Sequence, residues 1–328
     1  MLSFLSNLSK LVRLPNLLII ALSQYLLRYC VIHPLISTYS FSHQGINYHF
    51  KGIPQLSDFN FFLLVMAMVL LTASGYVIND YFDRKTDALN RPDEIIVGKH
   101  IHRRFAIQLH FILNVISVSM GFYVSYEIGF YQLGFLFLIA TGVLWYYSTS
   151  YKKQFLIGNL VVAVFAGMAP LMIVLFEVFP LMITYKQTMV NYQTNFNIIL
   201  FWGFGYSFFA FMTNLTREII KDIEDFEGDN AYGINSLPIV IGINASKIII
   251  ISLSIITLIS IFCVYHLFLN DNITLIYFII SFGLTNLFLI YKIIKANYKK
   301  DYRFASILSK IIMVLGILYS LVVYFKLS

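Results

Sequence analysis

Long uninterrupted apolar runs, punctuated by short polar stretches, dominate the chain. A bilayer-spanning helix needs about 20 mostly apolar residues. Runs of that kind fall near 14–37, 59–78, 105–124, 128–148, 157–178, 198–216, 248–268, 273–292 and 307–325. The expected fold is therefore all-α, a polytopic membrane bundle of nine transmembrane helices around a central cavity. A β-barrel is excluded, because barrel strands alternate apolar and polar positions where these runs are continuous. Pro170 falls inside the fifth run, where a membrane helix tolerates a kink if its neighbours satisfy the freed carbonyl.

Composition agrees with this reading. Hydrophobic residues make up 59% of the 328 residues and charged ones 12%, against roughly 45–50% and about 25% in soluble domains. A soluble fold of this size would lack the polar side chains to cover itself. The net charge of +7 belongs to loops facing the cytoplasm and anionic headgroups. Nucleic-acid binding is not expected, since no compact basic module exists. Cys30 and Cys263 fall in apolar runs and are expected as small packed residues. The first ten residues lack the features of a cleaved signal, so the first span is expected to be retained.

Orientation follows from the basic residues. With the N-terminus in the cytoplasm, 19 of the 23 Lys and Arg fall on that side. Lys51, Lys186 and Lys326 fall opposite, and Arg28 lies within the first span. This bias predicts an N-terminus and an active site on the cytoplasmic side, with the C-terminus outside.

The acidic residues break that pattern. The connections 79–104 and 217–247, both on the basic side, hold 11 of the 16 carboxylates. The first contains Asp80, Asp83 and Asp87, spaced i, i+3 and i+7, and the second repeats the spacing at Asp222, Asp225 and Asp229. On a helix such positions share one face. The repeat, with each Asp displaced by 142 residues, suggests one domain over residues 1–328 built from two pseudo-repeated halves. Three like charges on one face repel, so a divalent cation is expected between them. Oxygen donors without His or Cys point to a hard ion. Mg²⁺ takes one or two carboxylates together with water and substrate phosphate oxygens, so two facing ladders suit a diphosphate held between Mg²⁺ ions. Arg91, Lys152, Arg217 and Lys221 lie beside the ladders or on the same side, as donors to its oxygens.

Asn79-Asp80-x-x-Asp83-x-x-x-Asp87, with Asp225-x-x-x-Asp229 on a second connection, resembles the UbiA superfamily of intramembrane prenyltransferases. The resemblance covers nearly the whole chain and includes Tyr147 to Lys152, Gly158-Asn159 and, weakly, Arg13-Leu14-Pro15-Asn16. The run Arg217 to Asp229, followed by Gly233 and Ser236-Leu237-Pro238, looks most like the branch that makes digeranylgeranylglyceryl phosphate. Quinone-pathway members usually carry an Arg where this chain has Phe226. The branch usually reads Asn-x-Pro-x-Arg-Pro after its first motif, and here Glu94 stands in place of the Arg.

The resemblance implies Mg²⁺-dependent transfer of a polyprenyl group, best taken as geranylgeranyl, to a membrane-associated acceptor such as geranylgeranylglyceryl phosphate. It assigns Asp80, Asp83, Asp87, Asp225 and Asp229 to metal and makes Asp83, Asp87, Asp225 and Asp229 catalytic. Asn79, Arg91, Lys152 and Lys221 are assigned to the diphosphate, and Asp222 is placed behind the metal ligands or on the acceptor side. Expected partners are a polyprenyl diphosphate, a lipid or aromatic acceptor and membrane lipids, without an obligate protein partner. The alternatives are an aromatic-acceptor prenyltransferase of quinone biosynthesis (4-hydroxybenzoate or dihydroxynaphthoate) and a secondary transporter. Few charged side chains lie within the spans, Arg28 and Glu177 among them, which disfavours transport through the midplane.

Overall fold

The computed structural model describes residues 2–43, 46–50 and 52–327. All nine apolar runs are helical. A short amphipathic helix α1 (Leu2–Leu11) precedes α2 (Leu14–Ser37), α3 (Asp58–Asn90), α4 (Arg103–Glu127), α5 (Gly134–Thr149) and α6 (Ile157–Thr184). Then follow the short α7 (Lys186–Tyr192), α8 (Asn197–Glu224), the short α9 (Phe226–Ala231) and α10 (Leu237–Ile241), and α11 (Ile243–Leu269), α12 (Asn272–Lys295) and α13 (Lys299–Leu327). Among the described residues, eight helices are long and apolar enough to cross a membrane. The remaining run, 128–148, forms α5, only 16 residues long but extended by a tighter turn at Tyr131–Leu133. At about 1.5 Å per α-helical and about 2 Å per 3₁₀ residue the pair reaches roughly 30 Å, the thickness of a bilayer core.

Two helices outrun the apolar stretches that predicted them. α3 continues 12 residues past position 78 to Asn90, and α8 runs on to Glu224. Polar residues extend these helices because their far turns line a cavity and bury one face. The acidic segments are thus helix ends rather than loops.

Six long helices, α2, α3, α5, α6, α8 and α13, and the short α9 contribute side chains to one central cavity. α4, α11 and α12 pack outside that ring, α4 on α3 and α11 on α8. Their outward faces are apolar and exposed, as at Phe111, Val115, Ile259 and Phe262, which suits contact with lipid. Cys263 also lies exposed on α11, while Cys30 is buried; only the latter is the packed residue that the sequence led one to expect. The connection from 39 to 58 holds an antiparallel hairpin, Tyr39–His43 with Ile46–Phe50. Lys51, placed opposite the basic side on sequence grounds, lies outside the described residues.

Two of the charges inside the spans, Arg28 and Glu177, find each other. Arg28 Nε lies 3.1 Å from Glu177 Oε1, and both side chains are essentially inaccessible, at 1% and 0% exposure. Glu177 Oε2 accepts from the Leu56 amide at 3.3 Å, and Arg28 donates to the Leu56 carbonyl. Together they hold the backbone of Leu56 by its N–H and its C=O, pinning the segment that leads into α3. Buried charge is tolerated only with such pairing.

Candidate active site

The cavity has a volume of about 340 Å³. Its wall changes character along the helices. Met68 and Leu71 of α3, Phe165 of α6 and Tyr206 and Phe209 of α8 make one part apolar. Two turns or more further along α3 and α8, charged groups replace them.

On α3 the positions facing the cavity are Thr72, Tyr76, Asn79, Asp83, Asp87 and Asn90. They follow the three-or-four-residue step of a single helical stripe. Asp80 sits about 100° around the helix from Asn79, outside the cavity lining, where Arg13 Nη2 holds its Oδ1 at 3.0 Å. The ladder that faces inward is therefore Asn79, Asp83 and Asp87, not Asp80, Asp83 and Asp87.

From α8 and α9 come Arg217, Glu218, Lys221, Asp222, Asp225 and Asp229. The second ladder is not one continuous helix: α8 ends at Glu224, Asp225 forms the junction, and α9 begins at Phe226. Asn90, at the end of α3, fixes the two halves together by accepting the Gly228 amide at 3.0 Å. A Cβ on residue 228 would lie 2.3 Å from Asn90 Oδ1, so only glycine permits this approach. Asp83 and Asp87 thereby face the same cavity as Asp225 and Asp229.

Cations stand among these carboxylates. Arg91 Nη2 is 2.9 Å from Asp225 and 3.5 Å from Glu224. Lys152 donates to Asp83 and lies 3.5 Å from Asn79 Oδ1. Burial works against the charge of Arg91, but Asp225 and Glu224 outweigh it and raise its pKa. Burial likewise opposes the charge of Lys152, which Asp83 beside it restores and raises. Both remain cationic. Burial pushes Asp229 up to about 6, with Lys152 pulling down and Asp225 pushing up. Among the described residues no three His, Cys, Asp or Glu side chains converge tightly enough to hold a metal alone.

A second charged group occupies the same cavity nearer its apolar part. Glu218 accepts from Arg217 at 2.8 Å and from Lys221 at 3.0 Å, so Lys221 is engaged here rather than with the ladders. Arg13 and Lys310 also line this part, Lys310 donating to Asn16 Oδ1 at 3.2 Å. Arg217 Nε is buried without a hydrogen-bond partner among the described residues. Sequence reasoning placed Lys310 in a connection and gave Glu218 no task. The available signal was a lysine just inside the apolar run 307–325, an unusual position within a span.

Asp222 stands between the two groups on α8, accepting from Asn159 Nδ2 of α6 at 2.8 Å. Glu94, the departure from the expected pattern, turns away from the cavity and pairs with exposed Arg303 at 2.9 Å. It does not line the cavity, and its charge reaches the site only as a lesser influence on Arg91.

Known proteins resemble this chain in sequence and in shape. The digeranylgeranylglyceryl phosphate synthase of Methanosphaera stadtmanae is 33% identical over 192 residues, 58% of this chain and 61% of that protein. The synthase of the same name from Methanobrevibacter smithii is 31% identical over 213 residues, covering 64% of this chain and 69% of the relative. The aligned part thus spans about three-fifths of the length of the first of these relatives. A solved structure of a digeranylgeranylglyceryl phosphate synthase has the same fold, with a TM-score of 0.62 at 22% identity over 98% of this chain and 99% of that one. So does an Archaeoglobus fulgidus UbiA homologue bound to GPP and Mg²⁺, with a TM-score of 0.55 at 17% identity, over 96% and 99% of the two chains. The family model for UbiA prenyltransferases matches residues 45–322, and on that extent of agreement the chain belongs to the UbiA prenyltransferase family.

Proposed function

We propose that this protein transfers a polyprenyl group, geranylgeranyl in the reading favoured here, from its diphosphate to geranylgeranylglyceryl phosphate, in a reaction that needs Mg²⁺. The observation that carries the proposal is the division of one cavity into two charged groups. Asp83, Asp87, Asp225 and Asp229 with Arg91 and Lys152 form one; Arg13, Arg217, Lys221 and Lys310 around Glu218 form the other. A prenyl diphosphate suits the first and a phosphate-bearing acceptor the second. Relatives named as digeranylgeranylglyceryl phosphate synthases support this pairing.

The donor set fits Mg²⁺. Four carboxylates and the Asn79 amide oxygen are all hard oxygen donors, and among the described residues no His or Cys lines the cavity. That no three carboxylates converge among the described residues agrees with an ion that takes one or two and fills its remaining positions from diphosphate and water. Asp83 and Asp87 would hold it on one side, Asp225 and Asp229 on the other. Bound there, it would neutralise charge on the leaving diphosphate. An Archaeoglobus homologue of this fold binds GPP with Mg²⁺.

The protein's own groups do the rest. Lys152 and Arg91 exchange their carboxylate partners for diphosphate oxygens, giving charge-assisted hydrogen bonds that strengthen as the allylic C–O bond breaks. The apolar wall receives the prenyl chain and keeps water from the carbocation, and Phe165, Phe209 and Tyr147 line the cavity, where aromatic rings can attract a cation. The charged groups share a side with the basic connections, so in this reading the active site faces the cytoplasm.

Product mass spectrometry tests the proposal. The purified protein is incubated with Mg²⁺, geranylgeranyl diphosphate and either geranylgeranylglyceryl phosphate or an aromatic acceptor. The expected result is an ether of the glyceryl phosphate and release of diphosphate. Prenylation of 4-hydroxybenzoate or dihydroxynaphthoate alone would replace this reading with the quinone-pathway one. Substrate movement across vesicles without diphosphate release would point to transport.

A further inference from the structure

We infer that Asp222 is the general base that receives the proton of the acceptor hydroxyl, an assignment that rests on the prenyl-transfer reading above. Ether formation at a hydroxyl has a requirement that diphosphate departure leaves unmet. The C–O bond to the diphosphate breaks and its electron pair leaves with the diphosphate. The hydroxyl oxygen then bonds to the allylic carbon and must lose its proton. The base has to stand where the hydroxyl is, between the diphosphate and the acceptor's phosphate.

Asp222 is the carboxylate in that place. Along α8 it is three residues from Asp225, about 4.5 Å in rise, and four from Glu218, about 6 Å on the other side. Both neighbours line the cavity, as Asp222 does. The other candidates are already engaged. Glu218 is bound to Arg217 and Lys221, Asp225 to Arg91, Asp83 to Lys152 and Asp80 to Arg13. Asp87 and Asp229 belong to the set that faces the diphosphate. Asp222 carries no salt bridge among the described residues. Its one hydrogen bond comes from the neutral amide of Asn159, to Oδ2 at 2.8 Å. That contact orients the carboxylate without satisfying Oδ1, which has no hydrogen-bond partner among the described residues. Asn159 is itself buried at the first turn of α6, where Gly158 packs against the backbone of Lys152. The base is thereby tied to the segment that carries a diphosphate donor.

The test measures ether and free prenyl alcohol together, using the full chain, Mg²⁺, geranylgeranyl diphosphate and geranylgeranylglyceryl phosphate. Asp222→Asn should lower kcat for the ether about 10²–10⁴-fold, the usual worth of a general base. The KM of both substrates should stay within about threefold and the share of prenyl alcohol should rise, because ionisation survives while capture by the hydroxyl fails. Should Asp222→Asn not fold, Asn159→Ala keeps the carboxylate and removes its support. That variant should lose about tenfold in kcat at unchanged KM. A folded Asp222→Asn protein with near-normal kcat would overturn the assignment, as would a loss accompanied by an equal rise in the KM for prenyl diphosphate. If the wild-type protein forms no ether, the acceptor reading itself fails and this assignment with it; failure in the variants alone leaves that reading intact.

Discussion

Arg91 Nη2 lies 2.9 Å from Asp225, joining the end of α3 to the end of α8, the two helices that carry the acidic motifs. Lys152 makes the matching contact to Asp83. These two cations stand where carboxylates would otherwise repel, and under the proposed reaction they would turn onto the diphosphate. Arg91→Ala should lower kcat/KM for prenyl diphosphate by about 10- to 150-fold, the equivalent of the roughly 1.5–3 kcal/mol of a charged hydrogen bond. Steady-state kinetics at saturating Mg²⁺ would show it, and a change below threefold would remove Arg91 from the diphosphate site.

Asp83→Ala and Asp225→Ala should each abolish turnover, by three orders of magnitude or more, in proteins whose helical circular dichroism is unchanged. Chelation of divalent ions should stop the wild-type enzyme reversibly, and Mg²⁺ should restore it. Near-normal activity in either variant would end the reading of two facing carboxylate sets.

Acid should weaken metal binding. Burial holds Asp229 up to about 6, above the usual value near 4. Below pH 6 it binds a proton that Mg²⁺ must displace, so apparent Mg²⁺ affinity should fall by close to tenfold per pH unit. Above pH 6 the carboxylate is ionised and affinity should level off. Titration of Mg²⁺ at several pH values measures this, and a flat profile between pH 5 and 7 would contradict it.

Glu177→Ala should cost stability rather than chemistry. It leaves Arg28, at 1% exposure, with only the largely exposed Asp58 at 3.4 Å as a counter-ion. Removing one partner of a buried pair typically costs about 3–5 kcal/mol. Unfolding in mixed detergent would report the loss, whereas a change below 1 kcal/mol would mean that water or lipid headgroups already reach Arg28.

Glu94→Ala should leave turnover within about twofold, because Glu94 pairs outward with Arg303 and both are more than half exposed. Exposed pairs contribute about 0–1 kcal/mol. A large gain in acceptor affinity would show that Glu94 reaches the cavity after all.

Much of this was legible in the chain itself. Runs of 20 apolar residues admit only helices in lipid, because an unpaired backbone amide there is too costly. Nine such runs therefore fixed the class of fold, and the spacing of Asp83, Asp87, Asp225 and Asp229 pointed to the cavity-facing carboxylates. Spacing alone could not say which of two adjacent residues faces inward. Asn79 and Asp80 differ by one helical step, and packing against α2, where Arg13 waits for Asp80, decides between them. The second basic group was harder still to see. Arg13, Arg217, Lys221 and Lys310 lie on three elements up to 297 residues apart, and each alone reads as a positive charge near a membrane surface.

A membrane helix bundle with paired acidic motifs can be read from the chain alone, since apolar length and helical periodicity are local properties that each segment carries with it. Which carboxylates face one another, which are already paired, and where Asp222 stands between two charged groups emerge only once the helices are packed. Those relations depend on the crossing of α3, α6, α8 and α13, and no single segment contains the distances between helices.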